Sequence, residues 1–591
     1  MAGVRPQKLD AFARILPILE WLPIYQPGWL HADAIAGLTL LGILVPEMIA
    51  KAAMADAPLQ AGLYTLLGSL VVYAVFGTTR RAVSAPNSAS SVMMAAVVSP
   101  FLISGPKELG ELLVLLVLIV GIIFLLCGLL RLGFVTAFIS HSVMTGFFFG
   151  LAIHIGVSQA PKLFGLHKSH GETIYQLWDL IERLGGANWA TFTIGAVALV
   201  LLFVLEVRTP RVPAPLMIMV AGILAVSVFR LSDKYGVQIV GTIQTGLPVV
   251  SVPKVNFDDV LDLLPGTLAI ALVVLSEALG VGHALGRKYG TDVDPDQELI
   301  AMGVANVASA CLGGLVSGLS MSCTAVNDRA GAKSQVSSLT AAGMVLVTLL
   351  ALMPLFHDLP EAVLGAIIIH AVVRMMKIDE LKRFYRFHVA EFGQAMLALL
   401  GVIIVGILPG LAIAVVLSLL RFVWSASHLS ISRLYPVTRK EHSYGDIGLA
   451  ARPKSIQGLE ILRVNGPLFF ANARRFRDEV RSLLSASRPQ AILIDLHANF
   501  GIDLSSTDML LGLVAEAEKT STEILFAELQ DPVRNMFRRC GLLDLVGENR
   551  LFQTIDDGVQ DYLRRYPAVV RSGIDLSFPL TLRSPQASDN L

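Results

Sequence analysis

Charged residues are scarce in this sequence: Asp, Glu, Lys and Arg supply 16% of its 591 positions, against roughly 25% in an average soluble protein. The 46 basic side chains equal the 46 acidic ones, so the chain offers no polycationic face to a nucleic-acid partner. Cysteine is rarer still. Cys127, Cys311, Cys323 and Cys540 are far apart and form no C-x-x-C pair, which excludes a disulfide framework and a cysteine metal site. A Walker A loop, a nucleophile–base set and a cluster of metal ligands are also missing, so neither an enzyme nor an ATP-driven pump is expected. Nor does a short charged start lead straight into an apolar core, because the first 32 residues mix Arg5, Lys8, Asp10, Arg14 and Glu20 with short apolar runs. Residues 1–32 read as an uncleaved cytosolic leader.

What the sequence has in excess is apolar length. Apolar residues make up 54% of the chain and the mean hydropathy is +0.66, which places it among membrane proteins. A spanning helix needs about 20 mostly apolar residues. Fourteen candidates recur, near 33–52, 60–77, 86–104, 111–130, 133–158, 187–207, 213–231, 264–284, 298–316, 319–333, 336–356, 361–376, 389–408 and 410–428. Basic residues collect in alternate loops: Arg80 and Arg81, Arg131, Arg208 and Arg211, Arg287 and Lys288, Arg329 and Lys333, then Arg374, Lys377, Lys382 and Arg383. Positive loops stay in the cytosol. An even number of crossings then leaves both termini cytoplasmic, in a multi-pass protein of the cell (inner or plasma) membrane whose remaining partner is lipid. The transmembrane domain is assigned to 33–428 and a linker to 429–457. From 458 to 565 short apolar strands alternate with amphipathic helices, which predicts a cytosolic α/β domain. Residues 566–591 form a loose tail.

Two polar stretches interrupt this pattern at matching places. Segment three opens with Ser84-Ala-Pro-Asn-Ser-Ala-Ser90 and segment ten with Ser317-Gly-Leu-Ser-Met-Ser-Cys-Thr324; Pro86 and Ser320 are 234 residues apart, and Glu47 and Glu277 are 230 apart. Shared spacing at interrupted segments is the sequence sign of an inverted repeat, and seven helices per half make the halves opposite in orientation. Short helices that begin near the bilayer middle aim their free N–H groups and positive dipole ends into the space between them, where an anion binds without a formal positive charge. Such serines also serve helix packing; their matched positions favour a site. Glu47, Lys51 and Glu277 are ionisable groups inside apolar segments, and such groups are costly and default to function. Lys51 lies four positions after Glu47, on the same helix face. His141, His154, His283 and His370 have no partner at ligand spacing and read as structural.

These residues resemble the SulP/SLC26 anion transporters, the sulfate permease family. The likeness is carried by Asp33-Ala-Ile-Ala-Gly-Leu38, Pro46-Glu-Met-Ile-Ala-Lys51, Ala61-Gly-Leu-Tyr64, Val72-Tyr-Ala-Val-Phe-Gly-Thr78, Gly318-Leu-Ser-Met-Ser-Cys-Thr-Ala-Val-Asn327, Gly331-Ala-Lys-Ser-Gln335 and Leu359-Pro-Glu-Ala-Val-Leu-Gly-Ala366. The C-terminal unit is similar to a STAS domain, with Gly466-Pro-Leu-Phe-Phe-Ala-Asn472 and Cys540-Gly-Leu-Leu-Asp544 as markers. The resemblance implies a seven-plus-seven inverted-repeat membrane fold shared with nucleobase transporters, divided into core and gate bundles. It further implies an elevator-like movement of the core, a homodimer, and an anion held between the N-termini of segments three and ten beside segments one and eight. Asn87, Ser88, Ser322, Cys323 and Thr324 are the expected contacts, together with Glu47, Lys51 and Glu277. The implied function is secondary transport of a small anion of the sulfate, bicarbonate or dicarboxylate class.

Three departures from the family pattern matter. Glu47 and Lys51 stand where the family commonly has Gln and an aromatic residue, and Cys323 stands where many members have Arg. A cation is lost while an acid and a base are gained, so Lys51 is expected to replace part of the missing charge while Glu47 titrates. No cofactor is implied beyond a coupling ion, H+ or Na+, with Glu47 and Glu277 as candidates. In the STAS unit Leu504-Ser-Ser-Thr-Asp508 puts Ser506 at the phosphoserine position, but Asp508 repels a neighbouring phosphate. A regulatory or assembly role, through a cytosolic protein partner, is expected of this unit. An uncoupled anion channel and a STAS-based sensor are the alternative readings of the whole chain.

Overall fold

The computed structural model describes residues 16–104, 109–133, 140–169, 171–209, 213–243, 245–250, 255–291, 293–436, 443–446 and 455–567. Outside them lie most of the leader, residues 134–139 of segment five, Arg211, two stretches of the linker (437–442 and 447–454), and the tail from 568 onward. The chain forms two compact units, 1–419 and 420–591.

Between residues 30 and 427, nearly all of them in the first unit, a helix occupies each of the fourteen expected segments. We label them α1 (Leu30–Met54), α2 (Leu59–Phe76), α3 (Ser88–Ser104), α4 (Leu109–Leu129), α5 (His141–Leu163), α6 (Trp189–Arg208), α7 (Ala214–Phe229), α8 (Phe257–Tyr289), α9 (Pro295–Cys311), α10 (Met321–Arg329), α11 (Val336–Val347), α12 (Glu361–Val373), α13 (Val389–Ile404) and α14 (Ile407–Ser427). Among the described residues eight stretches, with α11 running on through its π and 3-10 turns to Phe356, are long and apolar enough to cross a membrane. The short ones are informative: α10 has nine residues, and α3 and α10 each follow a three-residue strand, β1 (Ser84–Pro86) and β2 (Ser317–Leu319).

Local chemistry sets the helix ends. Asn188 caps α6 by accepting from the N–H groups of Ala190 and Thr191 at 3.0 and 3.1 Å, and Asp294 caps α9 through Asp296 and Gln297, with Pro295 at the first position, where a missing N–H costs nothing. Small residues set the helix contacts. A side chain at Gly146 of α5 would meet the Ala395 carbonyl oxygen of α13 at 1.9 Å, so these two helices touch backbone to backbone. Helix α9 packs on α4 and α2, and α11 on α1, while α5 packs on α12 and α13.

Two buried carboxylates fasten loops to the helix ends. Glu298 of α9 accepts from the Tyr73 hydroxyl at 2.8 Å and from the N–H and hydroxyl of Thr79 at 3.1 and 2.8 Å. Asp33 of α1 is fully buried and accepts from the N–H groups of Lys333 and Ser334 at 2.6 and 3.2 Å and from the Ser334 hydroxyl at 2.7 Å. A search for 20-residue apolar runs passes over two amphipathic helices, Thr173–Arg183 and Ile378–Phe387, which are too short and too polar to span.

The second unit is built on a six-stranded sheet in the order β4-β3-β5-β6-β7-β8: β3 (Ile431–Pro436), β4 (Tyr444–Asp446), β5 (Leu459–Val464), β6 (Ala491–Asp495), β7 (Glu523–Ala527) and β8 (Leu551–Phe552). Strands β5 to β8 pair in parallel, while β3 and β4 add antiparallel. The helices are α15 (Phe470–Ala486), α16 (Leu504–Lys519), α17 (Asp531–Arg539) and α18 (Ile555–Arg565), with a single turn at Leu542–Val546. All five residues of β6 are buried, as a strand covered on both faces must be. The stretch expected as a linker, 429–457, therefore supplies two strands of the sheet. Its alternation was too short to stand out, and pairing with β5 stabilises it.

Candidate functional site

Strands β1 and β2 pair antiparallel, Ser84 with Leu319, Ala85 with Gly318 and Pro86 with Ser317. This ladder brings the starts of α3 and α10 side by side. Gly318 is required at the crossing, since a Cβ there would meet Val274 of α8 at 2.5 Å. Ser320 caps α10 by accepting from the Cys323 N–H at 3.4 Å, and its own N–H donates to the Val83 carbonyl at 3.0 Å. Thr324 Oγ1 accepts from the Val83 N–H at 2.9 Å. At the other helix start, Ser90 Oγ donates to the Asn87 carbonyl at 3.0 Å.

Helices α1 and α8 flank this pair. Lys51 Nζ donates to Glu47 Oε2 at 2.8 Å, with the lysine only 5% exposed. The same carboxylate oxygen accepts from Ser322 Oγ at 3.3 Å and Cys323 Sγ at 3.6 Å. Across the site Asn87 Nδ2 donates to Glu277 Oε2 at 2.5 Å. A cavity of about 430 Å³ opens here, lined by Glu47, Lys51, Asn87, Ser88, Glu277 and Ser322 among others.

Six of the eight expected contacts thus line one cavity. Cys323 and Thr324 do not: Cys323 is 0% exposed behind the wall, where its thiol serves Glu47, and Thr324 is spent on the backbone of Val83. Lys51 faces the cavity but is already paired, so it stands as half of an ion pair rather than as a free cation.

The structure adds residues that sequence reasoning missed. His141 and Thr145 of α5, with Arg374 and Lys377 after α12, line the same cavity from the opposite side. His141 Nε2 lies 3.0 Å from Glu380, and Arg374 pairs with Glu206 at 3.2 Å. Arg374 and Lys377 had registered only as loop charges, and the signal for His141 was its apolar neighbourhood alone. By contrast, His154 bonds the Thr173 hydroxyl at 2.8 Å and His370 pairs with Glu206 at 2.8 Å. In the second unit Ser506, in the first turn of α16, is 0% exposed. A kinase cannot reach it there without local opening.

Residues 30–398 match the model of the sulfate permease family. The chain belongs to that family. Residues 451–558 of this permease match the STAS domain, and the sheet begins some way earlier, at β3. A Mycobacterium tuberculosis protein described as a probable sulfate transporter is 31% identical over 92% of the permease and 97% of its own length. Sulfate transporter 4.1 of Arabidopsis thaliana, a chloroplastic protein, is 28% identical over 94% and 84%. The murine Solute Carrier 26 family member A9 anion transporter, solved in the inward-facing state, is similar with a TM-score of 0.87 at 25% identity over 95% of this chain and 96% of that one. The transmembrane domain of a cyanobacterial bicarbonate transporter shares the fold, with a TM-score of 0.58 at 21% identity over 67% and 98%. The permease is accordingly a multi-pass membrane anion transporter with a STAS domain, and not an enzyme.

Proposed function

We propose that this permease is a proton-coupled secondary transporter of sulfate-class anions, with Glu47 as the proton site and the space between the starts of α3 and α10 as the anion site. One observation carries the reading: Glu47 Oε2 takes the donors that an anion in this cavity needs, Lys51 Nζ at 2.8 Å and Ser322 Oγ at 3.3 Å. An ionised Glu47 competes with the substrate for both. A protonated Glu47 releases them, so proton and anion enter together. The helix ends add backbone N–H groups and the positive poles of their dipoles. Glu277, held by Asn87, is the second candidate for a coupling ion, H+ or Na+.

Sulfate is chosen because the curated relatives named above are described as sulfate transporters. Transport proceeds in this reading by an elevator-like movement of the bundle carrying α1, α3, α8 and α10 against α5 and α12. The protein works as a homodimer in the cell membrane with both termini cytosolic, as the basic loops favour, and the STAS unit meets a cytosolic partner. Purified protein in proteoliposomes tests the coupling. Labelled sulfate should accumulate under an inward proton gradient and not under a sodium gradient alone. Accumulation that follows sodium and ignores pH rejects Glu47 as the proton site, and an uncoupled anion current favours a channel.

A further inference from the structure

Between α12 and α13 the helix Ile378–Phe387 faces two ways. Its inner side buries Phe384 and carries Glu380, which accepts from Thr145 Oγ1 at 3.1 Å and lies 3.0 Å from His141 Nε2. Lys377, just before the helix, pairs with Glu380 at 3.4 Å and lines the transport cavity. At 100° per residue, Lys382 and Arg386 fall opposite Phe384 with the exposed Asp379 beside them, while Ile378, Arg383 and Tyr385 lie on the flanks. Ile378 and Tyr385 are 51% and 66% exposed. Lys382, Arg383 and Arg386 are exposed too, and among the described residues none of the three forms an ion pair. Arg386 lies over the Phe387 ring at 5.5 Å.

This surface is continuous with an exposed apolar face of α13. Val389 opens α13 directly after the helix and is exposed, and Leu397, Leu400 and Ile404 further along α13 are exposed as well. A basic amphipathic helix with exposed apolar and aromatic residues, joined end to end to a membrane helix, is suited to lie in the interfacial plane, and its unpaired cations complement anionic headgroups. We infer that Ile378–Phe387 is a docking surface for anionic lipid headgroups, held by Lys382, Arg383 and Arg386, and that lipid bound there sets the position of Lys377 and Glu380 at the cavity mouth. Lipid charge then regulates transport through a helix whose other face borders the substrate path.

The full chain in phosphatidylcholine vesicles, with and without phosphatidylglycerol, tests both halves. In a Tyr385→Trp variant, the fluorescence added relative to the parent should be quenched more strongly by brominated phosphatidylglycerol than by brominated phosphatidylcholine. The preference should vanish in the triple variant Lys382→Gln, Arg383→Gln, Arg386→Gln. Equal quenching by the two lipids overturns the headgroup assignment, and so does quenching by neither. This measurement needs no transport, so it stands apart from the coupling reading. For regulation, sulfate uptake by the unmodified protein should rise by about threefold or more with phosphatidylglycerol, since each basic residue near an anionic surface gains about fivefold in binding. The triple variant should match the unmodified protein in phosphatidylcholine and gain nothing from the anionic lipid. A rise of the same size in both proteins, or none in the unmodified one, overturns the regulatory half.

Discussion

Ser322 and Glu47 are 275 positions apart in the chain and 3.3 Å apart in the fold. The contact joins the two halves of the inverted repeat at the start of α10, and in the proposed reading it puts a carboxylate where a bound anion would place an oxygen. An acid at a helix N-terminus is itself a small model of the substrate, since both seek the same N–H and O–H donors. Competition for those donors is the physical basis of the coupling proposed here.

Replacing Glu47 by Gln removes the charge and keeps the shape. Uptake by the unmodified protein should differ by about tenfold or more between pH 6 and pH 8, because a rate limited by protonation changes up to tenfold per pH unit. Glu47→Gln should transport at both values within about twofold. Initial rates at the two pH values provide the check, and an unaltered pH ratio in the variant removes Glu47 from the coupling path.

Lys51 faces the cavity from its pair with Glu47. Deleting it alone, as in Lys51→Ala, leaves a buried carboxylate without its cation, and breaking such a pair is far more costly than replacing it by apolar residues. The double variant Glu47→Gln, Lys51→Met should therefore recover stability while still binding anion poorly. A charge-assisted hydrogen bond contributes about 1.5–3 kcal/mol, or roughly 10- to 150-fold in affinity. Calorimetric titration with sulfate measures the loss, and unchanged affinity in the double variant shows that Lys51 never meets the anion.

How far the sequence foretold this arrangement depended on whether the signal was periodic or spatial. Apolar runs announced the helices, and the nearly equal spacing of Pro86 with Ser320 and Glu47 with Glu277 announced that the two polar stretches would meet. The pairing of β1 with β2 realises that meeting through three residues on each side. Cys323 was harder to place. A residue's position in a motif does not say which way it points on a nine-residue helix, and the thiol turns to Glu47 rather than to the cavity. His141 on α5 and Lys377 just before the Ile378–Phe387 helix have no counterpart in the motif, so only packing of α5 and that helix against the site could bring them in. Strands β3 and β4 were illegible for a related reason: they extend one side of the sheet, and β3 is held there by pairing with β5, which comes later in the chain.

Asp33 offers a test of how the transport bundle is held together. Its carboxylate is buried and satisfies two N–H groups and one hydroxyl at the start of α11. Each buried donor left without a partner costs about 1–3 kcal/mol. Asp33→Ala should lower the thermal midpoint of the detergent-solubilised protein by several degrees, with Asp33→Asn intermediate because the amide still accepts one bond. If Asp33→Ala melts like the parent, water replaces the carboxylate and the clamp is dispensable.

Asp503 makes the same kind of contact in the STAS unit, where titration can be followed. It caps α16 by accepting from the Ser506 N–H at 2.9 Å, and it also accepts from the Phe470 N–H at 2.7 Å. Partial burial opposes ionisation, but the hydrogen bonds from Ser506 and Phe470 outweigh it and hold the carboxyl below its ordinary value. A carboxylate with a depressed pKa in the folded state adds stability that is fully present above the unfolded value of about 3.9, and that is lost as pH falls through the folded one. Losing an acidic cap costs about 1 kcal/mol. Asp503→Ala should therefore speed amide exchange at the start of α16 by about fivefold near pH 7, measured on the full chain by mass spectrometry. Once the intrinsic pH dependence of exchange is divided out, the ratio of variant to parent should shrink towards pH 3, because protonation removes the cap's charge from the parent as well. A ratio that stays constant across this range would show that the cap acts through its shape and not its charge.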